Sequence, residues 1–155
     1  MELADILAAR SVLVCTDALT KRQLFELLAK TAATATGFDQ DVLAEALLDR
    51  ESLGSTALGN GIAIPHGKVP GLPQVVAVLA RLESPLDFDA VDDQPVDLVV
   101  ALLAPLGSGA DHLKALSRVA RLLRTDSVVD AVRRLSIPAR IHEVLTTPVE
   151  ASNAA

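Results

Sequence analysis

Two stretches, PQVVAVLARL (73–82) and VDLVVALLAP (96–105), are each ten residues long and almost free of polar side chains. A strand with one wet face alternates polar and apolar residues. A strand covered on both faces does not, and fills with β-branched and aliphatic side chains instead. These two segments therefore read as central strands of a sheet that must be covered on both sides. Neither approaches the ~20 residues needed to span a bilayer.

The rest of the chain supplies the cover. Thr20 is a helix cap with Gln23 three residues on, followed by Leu24, Leu27 and Leu28 at helical spacing and a stop at Gly37. A second helix is predicted over 39–52, capped by Asp39, with Val42, Leu43, Ala46 and Leu47 as its apolar stripe and Gly54 at its end. From residue 110 the pattern is helical again: ADHLKALSRVARLLR, SVVDAVRR, and a segment opened by Pro138, which suits a first helical position. A further apolar run, SVLVC (11–15), precedes the first long helix. The fold class is α/β, a small mixed β-sheet flanked by helices on both faces. A chain of 155 residues is the size of one domain, expected over 1–148, with 149–155 as a frayed tail.

Three Phe and no Trp or Tyr leave Leu, Val, Ile and Ala to fill the interior, and leave no surface on which bases could stack. A net charge of −6 opposes nucleic acid and anionic lipid, so neither nucleic acid nor membrane insertion is expected. The single Cys15 cannot form an internal disulfide and reads as a small core residue, and MELADILAARSV lacks the apolar segment of a signal peptide; the cytoplasm is the expected compartment.

One stretch stands apart. GSTALGNGIAIPHGK (54–68) holds four of the eight glycines and one of the three histidines. It is not a P-loop: five residues separate Gly61 from Gly67, Val69 follows Lys68, and Pro65 removes an N–H where several are needed. The dinucleotide fingerprint fails as well, with Ile64 where the third glycine belongs. What remains is a short strand, GIAI, that presents Pro65-His66 at its end and leaves through Gly67, with glycines that let a partner or a phosphoryl group approach the main chain. The plain alternative is a turn histidine. His112 falls on the apolar stripe of its helix with Leu116 and Val119, near a terminus that suits an anion; taken alone it reads rather as a core histidine bonded to backbone. Arg50, in the last turn of its helix, could simply complement the helix dipole, and Lys68 could steer phosphate or merely be exposed. Asp87, Asp89, Asp92 and Asp93 lack calcium-loop spacing and read as turn acids, and His142 reads as a surface residue.

The runs ESLGSTALGNGIAIPHGK, LDFDAVDDQPVDLVVALLAP and DHLKALSRVARLL closely resemble enzyme IIA of the phosphotransferase system, mannitol/fructose class, and most closely its nitrogen-regulatory branch, over residues 3 to 147. The resemblance implies that His66 accepts a phosphoryl group on its tele nitrogen from an HPr-like phosphocarrier protein, without a cofactor or metal. It assigns Arg50 and His112 to stabilising that group, with Ser55 and Thr56 as a nearby hydroxyl pair. It implies regulatory target proteins as partners. A sugar-specific enzyme IIA passing phosphate to a IIB component, and a binding module that is never phosphorylated, are the alternatives. An apolar rim of Ile64, Leu58 and Val69 is expected to dock the donor. One departure is Ala57, in Ser55-Thr56-Ala57-Leu58-Gly59, where the family usually has glycine.

Overall fold

The computed structural model describes residues 2–147; the expected tail at 149–155 lies outside them. The elements are α1 (Leu3–Ile6), β1 (Val12–Cys15), α2 (Lys21–Thr36), α3 (Gln40–Ser52), β2 (Ala57–Gly59), β3 (Ile62–Ala63), β4 (His66–Val69), β5 (Val76–Leu86), β6 (Val96–Pro105), α4 (Gly109–Leu122), α5 (Asp126–Arg134) and α6 (Pro138–Thr146). The two aliphatic runs form β5 and β6, an antiparallel pair at the middle of a mixed sheet. β1 lies parallel outside β5, β3 and β4 lie parallel along the other edge of β6, and β2 pairs antiparallel with β3.

Side chains alternate between two cores, as the strand period requires. Leu98, Val100 and Leu102 of β6 face α1, α4, α5 and α6; Val99, Ala101 and Leu103 face α2 and α3. Helix ends follow their local chemistry. Thr20 and Gln23 make a reciprocal capping box, the Asp39 carboxylate accepts from the N–H groups of Asp41 and Val42, and Gly37 ends α2 at φ 76°.

The edge strand differs from expectation in a way that matters for the site. The strand holding GIAI does not end at His66. Ile62 pairs with Leu98 and Ala63 with Val99, and after the break at Ile64-Pro65 the same register resumes, His66 with Leu102 and Val69 with Pro105. β3 and β4 are thus one strand interrupted where proline has no N–H to give; the Pro65 carbonyl still accepts from the Leu102 N–H at 2.9 Å. The register is set upstream by a two-residue hairpin between β2 and β3, in which Asn60 (φ 57°) and Gly61 (φ 80°) both take positive φ. β5 also runs on to Leu86, beyond the expected limit of 82, because after an irregularity its last residue pairs again with Val96.

Candidate functional site

His66 opens β4 beside Leu102 and so projects to the α4 side of the sheet. Its Nδ1 lies 2.9 Å from the Ile64 carbonyl oxygen. A carbonyl only accepts, so Nδ1 carries the proton and Nε2 is left with the lone pair. Gly67, the next residue, points the opposite way. A Cβ there would sit 2.9 Å from the Ala46 carbonyl oxygen of α3. The glycine therefore admits a helix rather than an incoming ligand, which corrects the sequence reading. That contact seats α3 on the strand and brings its last turn, with Arg50, to the site.

His112 lies in the first turns of α4, its ring edge-on to His66 with centroids 5.6 Å apart and planes at 79°. It is 6% exposed, and neither ring nitrogen has a hydrogen-bond partner. The core histidine bonded to backbone is not what forms. Burial, and then the charges of His66 and Lys68, hold its pKa below the usual histidine range. A neutral buried imidazole has one N–H and one lone pair, and here neither is matched, which is an uncommon arrangement.

Arg50 donates from Nη1 to the Gly54 carbonyl at 2.9 Å, closing the turn that follows α3. Ser55 Oγ donates to the Phe88 carbonyl and accepts from the Ala57 N–H. The Thr56 hydroxyl donates to the Glu51 carboxylate, which also accepts from the Thr56 N–H at 3.3 Å and pairs with Lys21 Nζ at 2.7 Å. Lys21 in turn sits over the Phe88 ring. Both hydroxyl protons are thus committed to shaping the loop. Glu51 and Lys21 hold it, and Lys21 escaped the sequence reading because nothing local links it to Glu51, thirty positions away.

His66 and Arg50 are shared by two adjoining clefts. One, of about 600 Å³, also takes in Ser55, Thr56, Ser117, Arg121 and Arg124; the other, of about 470 Å³, takes in Leu53, Lys68, His112 and Leu113. The exposed apolar residues around them are Leu53 (84%), Leu113 (65%) and Leu58 (46%). Of the expected rim only Leu58 is on the surface. Ile64 is buried in a cleft floor, and Val69 is fully covered because it faces α3.

Residues 5–147 match the family described as "Phosphoenolpyruvate-dependent sugar phosphotransferase system, EIIA 2". The chain belongs to this family. A nitrogen regulatory protein of Bradyrhizobium diazoefficiens is 46% identical over 148 residues, covering 96% of this chain and 97% of that one. The crystal structure of nitrogen regulatory protein IIA-Ntr from Neisseria meningitidis superposes with a TM-score of 0.85 at 32% identity, over 93% of this chain and 99% of the other. IIA mannitol from Escherichia coli shares the fold, with a TM-score of 0.74 at 22% identity over 89% and 97% of the two chains. This EIIA 2 protein is accordingly of the nitrogen regulatory type and a component of a phosphotransferase system.

Within this EIIA 2 domain Ala57 causes no strain: it lies in β2, and the non-glycine residues with positive φ among the described residues are Asn60, Asp89 and Asp93. The acidic loop serves its own turns. Asp92 accepts from the N–H groups of Asn60 and Gln94, bonds that hold its carboxyl below the usual carboxylate range, and Asp87 accepts from Asp89. No group of three metal-ligating side chains forms among the described residues, and none of their helices is long and apolar enough to cross a membrane. His142 is not a free surface residue; its Nε2 meets the Leu7 carbonyl at 2.8 Å and ties α6 to the N-terminal segment. Cys15 is half-buried beside the α2–α3 core, where burial and then Asp17 push its thiol pKa up.

Proposed function

We propose that residues 1–148 act as one phosphoryl-carrier domain in the cytoplasm, loaded on His66 Nε2 by an HPr-like phosphocarrier protein, and that the loaded and unloaded forms bind regulatory target proteins differently. The observation that carries this reading is the Ile64 carbonyl on Nδ1, which leaves Nε2 as the nucleophile at the mouth of two clefts.

In the transfer, the Nε2 lone pair attacks phosphorus while the donor's P–N bond breaks and its electron pair returns to the donor imidazole. One P–N bond replaces another, so alignment and charge stabilisation suffice. The positive charge that develops on the His66 ring is spread to Nδ1–H, whose bond to the Ile64 carbonyl strengthens. Arg50 can swing its guanidinium onto the phosphoryl oxygens, and His112 supplies an N–H from the other side. Ser55 and Thr56, which line the cleft, contribute by fixing the loop. Leu53, Leu58 and Leu113 give the donor an apolar seat that excludes water from the labile bond.

The test is direct. Incubation with phosphoenolpyruvate, enzyme I and the phosphocarrier should give an acid-labile, base-stable mass gain of one phosphoryl group in the parent protein and none in His66→Ala. Retention of that gain in His66→Ala, or its absence with phosphocarriers of both branches, would overturn the reading.

A further inference from the structure

The larger cleft carries more positive charge than one phosphoryl group requires. Arg50 comes from the end of α3 on one face of the sheet; Arg121, near the end of α4, and Arg124, just beyond it, come from the other. With Ser117 they fall at positions 117, 121 and 124, one side of α4 continued into its final turn, and all three are exposed. No carboxylate lines this cleft, in a chain with 20 acidic and 14 basic residues. Arg22, Arg118 and Arg133 pair with Glu26, Glu2 and Asp97, whereas Arg50, Arg121 and Arg124 have no carboxylate partner among the described residues. Helix-dipole complementarity accounts for one cation in the last turn of α4 and one in the last turn of α3, but not for Arg124 beyond α4 or for the two helix ends opening onto one cleft.

We propose that this cleft binds a small, non-aromatic polyanion carrying phosphate groups, and that its occupancy opposes phosphoryl loading of His66. Three guanidiniums offer bidentate contacts to phosphate oxygens from two sides. A cleft of about 600 Å³ is of small-molecule size. Ala57, Leu58, Ile64, Leu116 and Ala120 give it an aliphatic wall, and it holds no Phe, Tyr or Trp ring for a nucleobase to stack on. Because His66 lines the same cleft, the bound anion would place like charge where the incoming phosphoryl group must sit, and the two would exclude each other by mutual linkage. The binding stands on the geometry alone; the effect on loading rests on the phosphoryl-carrier reading.

The test uses the unphosphorylated full chain and three probes: inorganic phosphate, fructose 1,6-bisphosphate, and fructose as the uncharged control, read by calorimetry and backbone amide NMR. The bisphosphate is expected to bind more tightly than phosphate, fructose not at all, with shifts confined to residues lining the cleft. In the Arg121→Gln, Arg124→Gln double variant, both sites being exposed, binding should weaken about tenfold or more. Equal binding by parent and double variant, or no response to millimolar bisphosphate, would overturn the proposal. In a second arm, bisphosphate should slow loading of His66 in the parent, and much less in the double variant, each compared with itself without the anion. Bisphosphate binding that leaves parental loading unslowed would overturn the opposition to loading. If the double variant loads poorly while neither protein binds bisphosphate, the arginines serve donor docking and the small-ligand proposal fails. The binding arm needs no donor protein, so its failure is separable from failure of the carrier reading.

Discussion

Strand β4 is treated differently on its two sides. Toward α3 it is sealed: Gly67 lies against the Ala46 carbonyl and Val69 is fully covered, and beyond them Leu24, Phe25, Leu28, Leu43 and Leu47 are completely buried. Toward α4 it is open, with His66 between two clefts, His112 unpaired in its wall and Leu113 on the rim. One residue step along the strand thus moves from close packing to chemistry. The lesson is that rigidity on one side lets the other carry groups that cost stability: a fixed strand holds the imidazole, and the helix packed behind it delivers the arginine.

Substitutions on the two sides should separate stability from activity, and the largest effect belongs to the sealed side. Phe25→Ala should cost about 3–5 kcal/mol in denaturant unfolding. Gly67→Ala should cost about 1–3 kcal/mol, because the atom it strikes is helix backbone that cannot step aside, and should also slow loading by displacing Arg50. If Gly67→Ala is neutral in stability, the seal is not what seats α3.

The open side should show its cost through pH. His112 has a pKa depressed in the folded state, so the unfolded chain binds the additional proton as pH falls. Its stabilising contribution is complete above the unfolded value of about 6.5 and is lost as pH drops below it toward the folded value. Unfolding midpoints at pH 7.5 and 5.5 should therefore differ more in the parent than in His112→Asn, and equal differences would remove His112 as the source. Smallest of all, Leu113→Ser should change stability within about 0.5 kcal/mol while weakening the affinity of the phosphocarrier in titration; an unchanged affinity would take the exposed leucines out of the docking seat.

The two sides were also unequally legible in the sequence. The sealed side follows from periodicity and local chemistry: two unbroken aliphatic runs became the central strands, and Thr20, Gly37 and Asp39 set helix ends where their side chains or φ angles dictate. His66, Arg50 and His112 could be singled out by their surroundings in the chain, and the fold does bring them to one place. What escaped was whatever depends on partners far apart in sequence. Gly67 answers to Ala46, Ser55 to Phe88, Glu51 to Lys21, and His142 to Leu7. The Asn60-Gly61 hairpin is the exception, a local turn signal inside the stretch whose glycines read as nucleotide motifs or as room for a partner.

Phosphoryl transfer turns on which nitrogen of His66 is free. Long-range proton–nitrogen correlation spectra of the loaded protein, labelled with nitrogen-15, report the protonation and substitution of each histidine ring. The expected result is a phosphoryl group on His66 Nε2 with Nδ1 still protonated toward the Ile64 carbonyl, and an unsubstituted His112. A phosphoryl group on His66 Nδ1, or on His112, would contradict it.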